Sequence, residues 1–217
     1  MKMITKLAAM LGLVGAMAAA QASTVTFDVT PLSFTPGGGY GQETENANGM
    51  GGTLLDVLFA VSNTAQHFNL APGGLSSPFA FGLVTLNEKS IDEAELDGLG
   101  VKATFKFVNP LTGTQEVSAT GTAFAGQVND GAIDLKIVWN DVTVAFGSAG
   151  SFIIKMDPLS FIERGETLTQ NFTIQLVADA NGDQTSPAAA AVPEPASLAL
   201  VGLALTAFGI SRRRSKR

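Results

Sequence analysis

From residue 23 to about residue 179 the dominant pattern of this chain is apolar side chains recurring at every second position, a spacing that an extended strand gathers on one face and a helix does not. Val25, Phe27 and Val29 share a side opposite Thr24, Thr26 and Asp28. Val101, Ala103, Phe105 and Phe107 alternate with Lys102, Thr104 and Lys106, and Ile133, Leu135, Ile137 and Trp139 repeat the pattern on a face expected to be buried. Stretches of the same character cover residues 54–61, 79–86, 116–124, 142–146, 152–156 and 171–177. Gly, Asn, Asp and Pro punctuate them, as strand ends require. One apolar and one polar face per strand belongs to antiparallel sheets buried on one side. The pattern predicts an all-β fold of roughly eight to ten strands, an antiparallel two-sheet β-sandwich, with a jelly roll or closed barrel as the alternatives.

Two stretches break the alternation. In "SIDEAELDGLG", Ser90 is placed as an N-cap, Glu93 follows three residues later and Gly98 closes the run, which predicts an acidic helix of about two turns. Residues 35–53 hold seven glycines, too many for a helix or packed strand, so a mobile loop or hairpin tip is expected there. Tyr40, inside that loop, is the aromatic side chain expected to be exposed.

Charge is segregated along the chain. Between residues 23 and 191 there are six basic side chains against 18 acidic ones, a net charge of −12. So acidic a body repels phosphate backbones and anionic lipid headgroups, which argues against nucleic acid as a partner. The chain has no cysteine, which removes disulfides, thiolate metal sites and thiol nucleophiles together. Stability must come from core burial.

The catalytic inventory is short. His67 is the only histidine and reads as an ordinary strand or surface residue, since no serine stands in a Gly-x-Ser-x-Gly elbow. Imidazole or thiolate metal sites need two or three such ligands, which the chain cannot supply. Oxygen-ligand calcium has three candidate stretches: Asp179, Asn181 and Asp183; Asn129, Asp130 and Asp134; and Asp92, Glu93, Glu95 and Asp97. Each also reads as a solvated turn or face, and the first lacks the distal bidentate carboxylate of a calcium loop. No catalytic residue, metal site or cofactor is expected, and the body is expected to be non-enzymatic.

The two ends differ from the body. Lys2 and Lys6 precede an apolar run, and Ala20-Gln21-Ala22 supplies small residues, the form of a secretory signal peptide over residues 1–22. Signal peptidase would then leave Ser23 first. After a low-complexity linker, 181–192, come Val192, Pro193, Glu194 and Pro195, an uncharged run at 196–210, and the cluster Arg212, Arg213 and Arg214. A fifteen-residue helix spans roughly 22 Å, short of a hydrocarbon core of about 30 Å. The arginines after it should stay cytoplasmic, leaving the body outside as a stop-transfer anchor would.

This order of motif, short span and basic cluster resembles the PEP-CTERM sorting signal of Gram-negative bacteria, here occupying residues 193–217 behind a domain at 23–180. The resemblance implies an exosortase substrate: a protein held transiently in the inner membrane by its C-terminal helix, cleaved near the Pro-Glu-Pro and passed to the cell surface or extracellular matrix. It further implies association with exopolysaccharide and biofilm, in a structural or adhesive role. A carbohydrate- or calcium-binding β-sandwich module at the surface is the alternative.

Overall fold

Val, Ile, Thr and Phe fill the alternating stretches, and β-branched and aromatic side chains favour a pleated, half-buried backbone. The computed structural model describes residues 23–43, 46 and 51–180. The leader at 1–22 with Ala20 and Ala22, the linker at 181–192 and the tail at 193–217 lie outside the described residues, along with the sorting motif and arginine cluster. Within them the strands are β1 (Val25–Pro36), β2 (Val57–Val61), β3 (Gln66–Leu70), β4 (Phe79–Leu86), β5 (Ser90–Ile91), β6 (Gly100–Asn109) and β7 (Gly113–Ala123). They continue as β8 (Gly126–Gln127), β9 (Leu135–Trp139), β10 (Val142–Phe146), β11 (Gly150–Met156), β12 (Leu159–Phe161) and β13 (Glu166–Ala178). The molecule is all-β, and every pairing between these strands is antiparallel.

A six-stranded sheet runs β12-β9-β7-β6-β1-β3 and a five-stranded sheet runs β10-β11-β13-β4-β2, with β5 and β8 paired apart. Their apolar faces meet through phenylalanine rings. Phe81 of β4 lies edge-on to Phe105 of β6 with centroids 4.7 Å apart, and Phe105 meets Phe172 of β13 at 5.0 Å. Phe27 of β1 and Phe107 of β6 each stand 5.2 Å from Phe152 of β11. Such ring pairs add to the burial of their large apolar area. One polar link crosses the same interior: Trp139 Nε1 donates to Gln170 Oε1 at 2.8 Å, and Gln170 Nε2 donates to the Asp157 carbonyl at 2.7 Å. Both side chains are buried, so the indole and the amide satisfy each other where water cannot.

The structure corrects the expected helix. Ser90 and Ile91 form β5, and the Ser90 hydroxyl donates to the Gly126 carbonyl at 3.1 Å instead of capping a helix. Only a single 3₁₀ turn remains, Glu93–Glu95, whose Glu95 carboxylate accepts the Asp92 amide at 2.7 Å. A helix of two turns has too few internal hydrogen bonds to stand without packing. Here Ile91 and Glu95 are buried, so tertiary packing sets the conformation. Ile133 also departs from its expected face: it is exposed, and β9 begins only at Leu135.

The strands give the body two ends. The near pole gathers Ser23, the 71–78 connection, the β6–β7 and β10–β11 turns and Asp179, because β1 begins there and β13 finishes there. At the far pole are residues 37–56, 87–99, 124–134 and 162–165, between the opposite ends of the same strands. Twelve residues of β1 separate the poles by about 40 Å.

Candidate functional site

Acidic side chains gather at the far pole. Glu43, Asp56, Glu88, Asp92, Glu93, Glu95, Asp97, Asp130, Asp134, Glu163 and Glu166 all belong to its loops and strand ends, against the basic Lys89 and Arg164. Glu43 accepts the backbone amides of Thr53 and Leu54, which holds its carboxyl below the usual range. Burial pushes Asp56 up, and the neighbouring Glu88 carboxylate pushes it further. Glu88 is itself buried and accepts the Asp56 and Lys89 amides at 3.1 and 3.0 Å. These three acids come from distant stretches and were not singled out together from the sequence.

In the loop before β9, Asp134 is 4% exposed and its Oδ2 has no hydrogen-bond partner. Burial, and then Asp130, raise its pKa. Asp130 Oδ1 accepts the Ala132 amide at 2.8 Å, and Asn129 Oδ1 accepts the Arg164 amide at 2.7 Å, so the loop is closed by its own side chains. Among the described residues no three of His, Asp and Glu converge as a metal-holding group.

His67 lies on β3 beside Asp28 of β1, with Nδ1 2.5 Å from Asp28 Oδ1, and Asn109 Nδ2 donates to Asp28 Oδ2 at 2.6 Å. Those two hydrogen bonds, the amide first, hold the Asp28 carboxyl below its ordinary range. The pairing has the acid and imidazole of a catalytic triad, but among the described residues no serine hydroxyl bonds to His67, whose side chain is 69% exposed. The trio was missed because β3, "QHFNL", carries only two apolar residues.

Tyr40 is corrected outright. It is buried, its hydroxyl donates to the Leu99 carbonyl at 2.9 Å, and burial raises its pKa. Residues 37–41 of the glycine-rich stretch are pinned: Gly37 N donates to Gly100 O at 2.7 Å and Leu55 N to Gly39 O at 2.8 Å; residues 44, 45 and 47–50 of that stretch lie outside the described ones. Trp139, by contrast, is buried as its alternation predicts.

The outer face of the six-stranded sheet has a different character. Lys102, Lys106 and Lys136 are exposed there among Thr30, Thr104, Thr114, Ser118 and Thr122. Lys102 pairs with Glu116 at 3.3 Å. A shallow groove of about 350 Å³ lies at its far-pole end, lined by Thr35, Pro36, Gly100, Lys102 and Ser118 among others.

Ser23 remains inside the described residues, at the near pole, where its hydroxyl donates to Asp179 at 2.6 Å. Among the described residues no helix is long and apolar enough to cross a membrane, and the apolar run at 196–210 falls outside them. No curated protein and no solved structure matches the chain. Residues 191–214 match the model of the PEP-CTERM protein-sorting motif, a span that encloses Val192 to Pro195 and ends on Arg214. That signal implies export, processing by an exosortase and sorting to the cell surface. The chain thus carries a PEP-CTERM sorting motif at residues 191–214, behind an all-β body.

Proposed function

We propose that this is a non-enzymatic surface or extracellular-matrix protein of a Gram-negative bacterium. Its body, a two-sheet β-sandwich, is exported behind a cleaved signal peptide, and its tail holds it in the inner membrane until exosortase acts. The match at residues 191–214 carries this reading. The near pole supports it too, since the chain enters at Ser23 and leaves β13 beside it, at Asp179. Attachment through that pole turns the other loops outward. The lysine- and hydroxyl-bearing sheet face suits hydrogen bonding to an exopolysaccharide, the partner a biofilm role supplies.

The test is the intact mass, with terminal peptides, of the protein recovered from its native host. A chain beginning at Ser23 and ending near the Pro-Glu-Pro is expected. A full-length chain retained in the membrane fraction would make the tail a plain anchor and overturn the sorting reading.

A second reading has its own support, the partnerless buried oxygen of Asp134 within an acidic pole. Calcium would take that oxygen together with Asp130 and backbone carbonyls, ligands of the kind calcium accepts. A ligand that binds only the folded state raises Tm. Millimolar calcium is then expected to raise Tm relative to chelator in the native protein and not in Asp134→Asn. An unchanged Tm in the native protein removes this reading.

A further inference from the structure

We propose that Asp179 is the docking site of the α-ammonium group that processing creates at Ser23, so that removal of the leader ties the first strand to the last. This rests on the reading that the leader ends at Ala22. The Ser23 hydroxyl already donates to Asp179 Oδ2 at 2.6 Å, and the α-nitrogen of a serine, three bonds away, lies about 3–4 Å from its own Oγ. A free amine at Ser23 therefore reaches the same carboxylate by a small rotation.

The carboxylate is well held. Asp179 is 4% exposed. It follows β13, whose Ala178 pairs with Ser151 of β11, and it precedes Ala180, whose carbonyl accepts the Ser148 hydroxyl at 2.7 Å. On the other side, β1 begins two residues after Ser23, with Val25 paired to Leu70 of β3. Before cleavage the Ser23 nitrogen is a neutral peptide amide. After it, the nitrogen is a cation beside a buried anion, and hydrogen bonds between charged groups are roughly twice as strong as neutral ones. The ligand is the chain's own terminus, joined to a site some 156 residues away in sequence.

The surroundings make the effect readable. Segments 23–27, 70–76, 146–151 and 172–178, which form this pole, contain no charged side chain. The titratable groups further along β1 and β3 are Asp28 and His67, which pair with each other, so the change in stability as the amine deprotonates is read as the difference between the free and the acetylated chain. An ammonium that gains an anionic partner on folding stabilises the fold below the pKa of the free amine, about 8, and the gain is lost as pH rises beyond it.

The full-length precursor is expressed with its own leader in its native host, and the first residue of the purified product is read from its terminal peptide. That product is compared with the same protein acetylated on the α-amine at near-neutral pH, where lysines stay protonated. At pH 6, acetylation is expected to lower Tm by about 2–4 °C, with no difference at pH 10. In Asp179→Asn, acetylation is expected to change nothing, the coupling that a double-mutant cycle reports. Should that variant fail to fold, the pH dependence in the native chain decides alone. A first residue of Ser23 with no acetylation effect at pH 6 overturns the docking site and leaves the processing reading standing. A first residue other than Ser23 overturns both.

Discussion

Replacing Phe105 with alanine is expected to cost about 3–5 kcal/mol of unfolding free energy, the range for deleting a buried ring. Phe105 is fully buried on β6 and touches rings of both sheets: Phe81 at 4.7 Å, Phe172 at 5.0 Å and Phe107 at 6.5 Å. Those neighbours are held by their own strands, so the space left behind cannot close without moving a sheet. Nor can covalent links cushion the loss, because the chain has no cysteine. Against a typical total of about 5–15 kcal/mol, the variant is left marginal. Urea unfolding checks this: the midpoint should fall sharply while the slope holds. Phe124→Ala, at a ring that is 50% exposed, is the control and should shift stability by no more than about 0.5 kcal/mol. Equal losses in the two variants would mean that the phenylalanine layer does not join the sheets.

Gly39→Val is expected to release the strap formed by residues 37–41. A Cβ at Gly39 would stand 1.9 Å from the Asp97 carbonyl oxygen, which is backbone and cannot swing aside. Relieving that overlap separates the strap from residues 97–100, breaks the bond from Gly39 N to Gly98 O and draws Tyr40 from its place against Leu99. Overpacking of this kind costs about 1–3 kcal/mol. The sole tyrosine of the chain reports the change directly. In the native protein burial raises the Tyr40 pKa. Above about pH 10 the unfolded chain therefore loses a phenolic proton that the folded chain keeps, and stability falls as pH rises. In Gly39→Val the phenol should titrate near its ordinary value, seen as phenolate absorbance, and the alkaline loss should shrink. A phenol that stays protonated as in the native chain would show that the strap tolerates the side chain.

Several strands were legible from residue order alone. β4 and β10 begin and end where the apolar stretches 79–86 and 142–146 do, and the inward run of Val101, Ala103, Phe105 and Phe107 is buried throughout. β1 runs beyond its alternating start through Pro31, which is accommodated beside a register shift opposite Phe105, where a strand proline is tolerated. β3 was hidden by its polar residues, and Tyr40 by the glycines around it, of which Gly37 and Gly39 serve close approach to the backbone of residues 97–100. The sorting motif was legible because it is linear. The polar groupings were not: Asp28, His67 and Asn109 come from β1, β3 and β6, and only the strand order brings them together.

The place of β13 has a consequence for the timing of assembly. It is the last of the described strands in chain order, yet it lies between β11 and β4 and supplies both with hydrogen bonds. Until it arrives, the five-stranded sheet is two unjoined pairs, and the phenylalanine layer lacks Phe172. Pairing across so long a separation is slow, because loop entropy must be overcome before such contacts form. Synthesis therefore delivers the sorting tail shortly after the strand that completes the fold.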